Sequence, residues 1–170
     1  VGIDTAEATA ANLTGTALEL GGNDAFIVLD DGDVDLAIKE MVLGRMYNTG
    51  QVCCASKRFI IHNSIKEEFA EKAADRVKRL KIGDPLEEDT EIGCLINEKA
   101  AVKVEKQVEL TVKQGGKILT GGKRNGAFFE PTVITGVKRT ADVMRDMEIF
   151  GPVVPIVGFD TDEEALEIAN

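Results

Sequence analysis

Short apolar runs of strand length alternate with helix-length amphipathic segments along most of this chain. The clearest runs are AFIVLD (25–30), RFIIH (58–62), KILT (117–120), FFEPTVI (128–134) and VVPIVGF (153–159). Such alternation predicts an α/β fold, a mostly parallel sheet with helices on both faces. AFIVLD has no polar residue before its last position, as expected for a strand covered on both sides. ALELGG (17–22) reads as a further short strand ending in a Gly-Gly turn, and Pro131 places FFEPTVI at an edge or a kink.

The helices announce themselves by caps and stripes. Residues 1–17, rich in Ala and Thr, read as a first helix. Asp33 can cap a helix whose apolar face is Val34, Ala37, Ile38 and Met41. Ser64 and Glu67 have the spacing of a capping box, ahead of a stripe of Ile65, Phe69, Ala73, Val77 and Leu80 that GDP (83–85) terminates. A helix over 98–114 starts after Asn97 and repeats Val104, Val108 and Val112, and TDEE (161–164) opens a last one running to Asn170. That helix meets the end of the chain without a cap or a following strand, so the sequence reads as an excised piece of a larger enzyme.

Several function classes are disfavoured. A formal net charge of −10 opposes binding to nucleic-acid phosphates. No apolar run reaches the ~20 residues that cross a bilayer, and no signal peptide is visible. Three unevenly spaced cysteines read as reduced, cytoplasmic thiols rather than a disulfide frame. With no Cys-x-x-Cys pair and His62 as the only histidine, a zinc site is not expected.

Chemistry concentrates at NTGQVCCASKR (48–58), in the connection between a helix and a strand, where loops meet substrate. Gly50 permits a tight turn, Gln51 can hold the loop by hydrogen bonds, and the Cys53 N–H could support an oxyanion. A thiol attacks only as thiolate, so a base is needed. His62, at a strand end, has no reason to point at Cys53. Glu19 is the alternative: a carboxylate in an apolar strand is costly to bury and would be a stronger base there than in water, which suits a general base near neutral pH. An outward carboxylate on an edge strand is the competing reading for Glu19. Cys54 reads as a small apolar residue starting a strand, or as partner of Cys53 in a strained, easily reduced disulfide. Cys94 reads as a buried packing residue.

LELGG (18–22), GQVC (50–53) and EIFGPV (148–153), with GAFFEPTV (126–133) and IGDPLEEDTEIGCLIN (82–97), resemble the signature segments of the aldehyde dehydrogenase superfamily, in its order. The resemblance covers roughly residues 17–170 and is nearest to bacterial succinate-semialdehyde dehydrogenases, through NTGQVCCASKRFII and ALEIAN. It implies that 17–170 form the thiol-bearing catalytic domain, truncated at its C-terminus, with 1–16 as a lead-in segment. Matched residue by residue, it makes Cys53 the nucleophile, Glu19 the base that activates water, and Glu148 the carboxylate that holds the nicotinamide ribose. Phe150 becomes the aromatic beside the nicotinamide, and Gly21 a glycine approached closely because it lacks a side chain. The implied reaction oxidises an aldehyde, succinate semialdehyde by this likeness, with NAD or NADP. It passes through a thiohemiacetal and a thioester, in a parent enzyme expected to be a homo-oligomer.

The pattern departs from the family in three respects. No Gly-x-Gly-x-x-Gly unit precedes LELGG, nor do the family's oxyanion-hole asparagine and ribose-binding lysine appear. Its C-terminal substrate-loop and oligomerisation segments are missing. Where a succinate-semialdehyde branch has an arginine six residues before the nucleophile, this chain has Tyr47, with Arg45 nearby. Alone, the chain is therefore expected not to turn over the dinucleotide. Two other readings are a folded fragment that presents an interface and a cofactor-free thiol esterase acting through Cys53 and Glu19.

Overall fold

The computed structural model describes residues 1–170. Helix α1 (Gly2–Ala10) is followed by β1 (Ala25–Val28), α2 (Val34–Met46), a 3-10 turn (Tyr47–Gly50), β2 (Arg58–His62), α3 (Lys66–Lys78) and α4 (Glu98–Lys113). Then come β3 (Lys117–Thr120), the short hairpin β4 (Arg124–Asn125) and β5 (Phe128–Phe129), β6 (Thr132–Thr135), β7 (Val153–Phe159) and α5 (Asp162–Ala169). One five-stranded sheet runs β1-β2-β7-β6-β3. Its first four strands are parallel, and β3 closes the far edge antiparallel to β6.

Alternation along the strands divides the core in two. Phe59, Ile61, Val154 and Ile156 point to one face, where α2 and α3 contribute Ile38, Met41, Phe69, Ala73 and Val77. Ile60, Val153, Val157 and Phe159 point to the other, against Ala101, Val104 and Val108 of α4 and Ala165 and Ile168 of α5. The period of two in the strands and of 3.6 in the helices made this layering readable in advance. Caps at Asp33, Asn97 and Thr161 form as expected, each accepting a backbone N–H from three residues on.

Six local expectations are corrected. ALELGG forms no strand: residues 13–24 lack regular structure, and Leu18 and Leu20 stay about half exposed, because an extended segment becomes a strand only against a partner. The first helix ends at Ala10, not near residue 17. β1 is an edge strand with Ile27 exposed, not one covered on both sides. Ser64 does not cap α3 but lies 2.7 Å from the His62 ring, Oγ to Nδ1. Val112 is exposed, and Thr111 takes the buried position on α4. FFEPTVI is not one strand: Pro131 breaks it into β5 and β6, in keeping with a kink rather than an edge, since β6 lies inside the sheet.

The connection from α3 to α4 is tied back by Glu91, whose carboxylate accepts from the Lys81 N–H at 3.0 Å and from Arg76 at 3.2 Å. The Lys81 N–H, then Arg76, hold its pKa below the ordinary 4.5. A carboxyl depressed in the folded state stabilises above its unfolded pKa, and that stabilisation is lost as pH falls through the folded value. In urea titrations, Glu91→Gln is therefore expected to lower the midpoint at pH 7 and to converge with the parent well below pH 4.5. An equal gap at both pH values would contradict this.

Candidate functional site

The site gathers at the amino ends of three adjacent parallel strands. Residues 21–24 lead into β1, Cys53 and Lys57 lead into β2, and 148–152 lead into β7. Ligands in open parallel sheets usually sit at the carboxyl ends, so the helix-to-strand loop that carries Cys53 opens on the opposite rim from the usual one. His62, at the far end of β2, is 3.3 Å from the Asp160 carbonyl through Nε2 and packs edge-on against Phe159. It takes no part in the site.

The loop before Cys53 is held in unfavourable backbone. Asn48, Thr49 and Gly50 have φ of 48°, 59° and 75° in succession. Asn tolerates the left-handed region and Gly prefers it, but β-branched Thr49 is strained there. Gln51 fixes the turn: its N–H and its Nε2 both donate to the Asn48 carbonyl at 3.1 Å, and its Oε1 accepts from the Ile96 N–H at 2.8 Å. Gly50 abuts the backbone of Gly151, locking this loop against the segment that carries Glu148. Cys53 is half-buried with a free thiol, and its N–H has no partner in the chain. Cys54 is also free, but it is exposed in the turn rather than starting a strand, and Cys94 is half-buried rather than enclosed.

Lys57 joins these segments. It is 1% exposed and forms an ion pair with Glu148 Oε1 at 3.1 Å. It also donates to the Cys53 carbonyl and lies 5.5 Å from the Phe150 ring centre. The same Oε1 accepts the Gly22 N–H at 3.0 Å. The Asp24 carbonyl accepts from the Lys57 and Arg58 N–H groups at 2.9 and 3.0 Å, which zips this segment to the start of β2. Glu148 Oε2 has no partner, and it lies where a side chain on Gly21 would begin: a Cβ there would meet the Glu148 carboxyl carbon at 3.0 Å. Phe150 is 38% exposed, leaving its ring available.

Glu19 is the outlier. It is exposed, with no hydrogen bond or ion pair, so the apolar strand environment expected for it does not form. Its segment does reach the thiol loop, since a Cβ on Gly22 would stand 3.7 Å from the Cys53 carbonyl oxygen. Sequence reasoning missed Lys57 and the structural part played by Arg45, which is fully buried and donates through Nε to the Val153 carbonyl at 2.6 Å and through Nη2 to the Ile149 carbonyl at 2.9 Å. Burial, only partly offset by the attraction of Glu148, pushes its pKa down to about 9. A signal was present: Arg45 continues the buried stripe Val34, Ile38, Met41 by helical spacing.

The aldehyde dehydrogenase family model matches residues 1–170. The chain is 40% identical over its whole length to a glutarate-semialdehyde dehydrogenase of Pseudomonas putida, covering 35% of that protein. It is 44% identical, over 91% of its length, to an NADP-dependent succinate-semialdehyde dehydrogenase of Mycobacterium leprae, covering 34% of it. Among solved structures it superposes on a succinate-semialdehyde dehydrogenase of Burkholderia pseudomallei with a TM-score of 0.94 at 40% identity, covering 99% of this chain and 36% of that one. A betaine aldehyde dehydrogenase of Staphylococcus aureus in complex with NAD+ gives 0.91 at 39%, covering 99% and 35%. The chain thus spans about a third of the length of these relatives.

Proposed function

The chain belongs to the aldehyde dehydrogenase family, and from that premise we propose that Cys53 is the nucleophile of an aldehyde oxidation in which Glu19 is the hydrolytic base. The observation that carries this reading is the convergence of three loops at one rim: a free, half-buried thiol, the Glu148 carboxylate and the glycine pair after Glu19. A nicotinamide dinucleotide fits the residues present, because Oε2 of Glu148 is unpartnered beside the bare Cα of Gly21 and the Phe150 ring is open. Glu148, Phe150 and Gly21 would hold it, and when bound it supplies the two-electron acceptor.

The thiolate of Cys53 adds to the aldehyde carbon, forming a C–S bond, and the unpartnered Cys53 N–H supports the resulting oxyanion. Departure of hydride from that carbon leaves a thioester on Sγ. Glu19 then takes a proton from water as its oxygen attacks the thioester; the C–S bond breaks, and carboxylic acid and thiol are released. An exposed Glu19 reaches the thiol in this scheme by movement of residues 17–20, which lack regular structure, while Gly22 and Asp24 stay bonded to the site. For the substrate we propose succinate semialdehyde, supported by the similarity to dehydrogenases of succinate and glutarate semialdehydes. The free cysteines suit a cytoplasmic protein.

An activated ester tests the thiol half of the reaction on this chain. We expect a nitrophenyl ester to leave an acyl group on Cys53, detectable by mass spectrometry and absent in Cys53→Ala. Glu19→Gln should keep acylation and slow deacylation by about 10²–10⁴-fold. Acylation that survives Cys53→Ala would overturn the assignment. Hydride transfer needs the acceptor fixed within reach of the substrate carbon, so the 170 residues alone are expected to form no NADH from an aldehyde.

A further inference from the structure

A fully buried ammonium is costly unless the fold builds a place for it, and none of the roles above uses Lys57. Its place is built from both sides of the site. On its own turn it donates to the carbonyl of Cys53 and, at 3.4 Å, to that of Ala55. Across the rim it pairs with Glu148 Oε1, with the Phe150 ring completing the surroundings of the charge. An ammonium has three donors and no acceptor, so each contact is one that only a partner oxygen or a ring can satisfy.

We propose that Lys57 is a positioning residue that tethers the nucleophile loop to the Glu148 carboxylate, so that Cys53 and the group presented to a ligand are held as one unit. Glu148 is 91 residues from Lys57 in the chain, and its carboxylate has otherwise a single neutral donor, the Gly22 N–H. With Oε1 occupied twice, only Oε2 is left to face a ligand. Turning the carboxylate to free Oε1 would break the ion pair and the Gly22 bond together. The functional meaning of the tether rests on the reading of Cys53 and Glu148 given above; its existence does not.

The test uses this chain in a Cys54→Ser background, so that alkylation reports Cys53. In Lys57→Met, the Gly22 amide proton is expected to exchange at least about tenfold faster, while the amides of β2 and β7 keep their rates. A Gly22 rate that is unchanged, or that rises only together with the strands, overturns the proposal. The second readout is coupling: with Lys57 present, Glu148→Gln should change the Cys53 alkylation rate about 3–5-fold, and in Lys57→Met the same substitution should have no effect. An equal effect in both backgrounds also overturns it. Should Lys57→Met fail to fold, the unsubstituted chain decides. The Lys57 ammonium protons must then exchange far more slowly than those of exposed lysines, and equal exchange sinks the tether. No readout involves aldehyde or dinucleotide, so failure of the tether is distinguishable from failure of the catalytic reading.

Discussion

Gly50→Ala is expected to destabilise the fold by about 2–5 kcal/mol, from two separable causes. At φ +75° an L side chain costs about 1–2 kcal/mol. The new Cβ would also collide with the backbone of Gly151, whose carbonyl carbon lies 2.5 Å from its position. Neither backbone can retreat cheaply, since Gly151 is itself packed against Val104 of α4, and overpacking of this kind costs about 1–3 kcal/mol more. Gly126 provides the control, with φ +58° and nothing within 4 Å of its Cβ position. Gly126→Ala should lose only the conformational part, about 1–2 kcal/mol. Urea midpoints of the two variants would show the difference, and equal losses would mean that the Gly50–Gly151 approach is not what holds the loop. Because that approach joins the Cys53 loop to the Glu148 segment, Gly50→Ala should also raise Cys53 alkylation before global unfolding, whereas Gly126→Ala should not.

Arg45→Met is expected to cost about 3–5 kcal/mol, the loss of two charge-assisted hydrogen bonds to buried carbonyls. Methionine has similar length and would fill most of the volume, but it leaves the oxygens of Ile149 and Val153 without the guanidinium they now share. Arg45→Lys should recover little, because one ammonium cannot reproduce the planar fork that reaches both. Burying the guanidinium costs the fold, and the same desolvation lowers its pKa; a variant as stable as the parent would show that this cost outweighs the two bonds. Denaturant unfolding decides between them. Hydrogen exchange should locate the loss first at residues 149–153, the turn that presents Glu148 and Phe150.

Much of the fold was legible in the chain. β2 and β7 are read from their apolar runs, and α2, α4 and α5 from caps at Asp33, Asn97 and Thr161 followed by helical stripes, because each of these signals is local. LELGG misled for the complementary reason: its Leu-Glu-Leu alternation has the period of a strand, but pairing is a property of the neighbour, and none is beside it. At the site, the residue types singled out Cys53, the resemblance to the family added Glu148, Phe150 and Gly21, and the structure brings the segments of these four to one rim. Glu19 was singled out too, but the structure leaves its side chain free of contacts.

What the sequence determined by itself is the alternation of strands and helices, the caps, and the chemical inventory of the loops, since these depend on neighbours within a few positions. What only the tertiary structure decided is the burial of Arg45 and Lys57 and the end of the sheet at which the chemistry collects. Their partners lie at 148–153, about a hundred residues further along. A charge can be buried only where its partners are already in place, and nothing in a local stretch of chain tells where those partners will be.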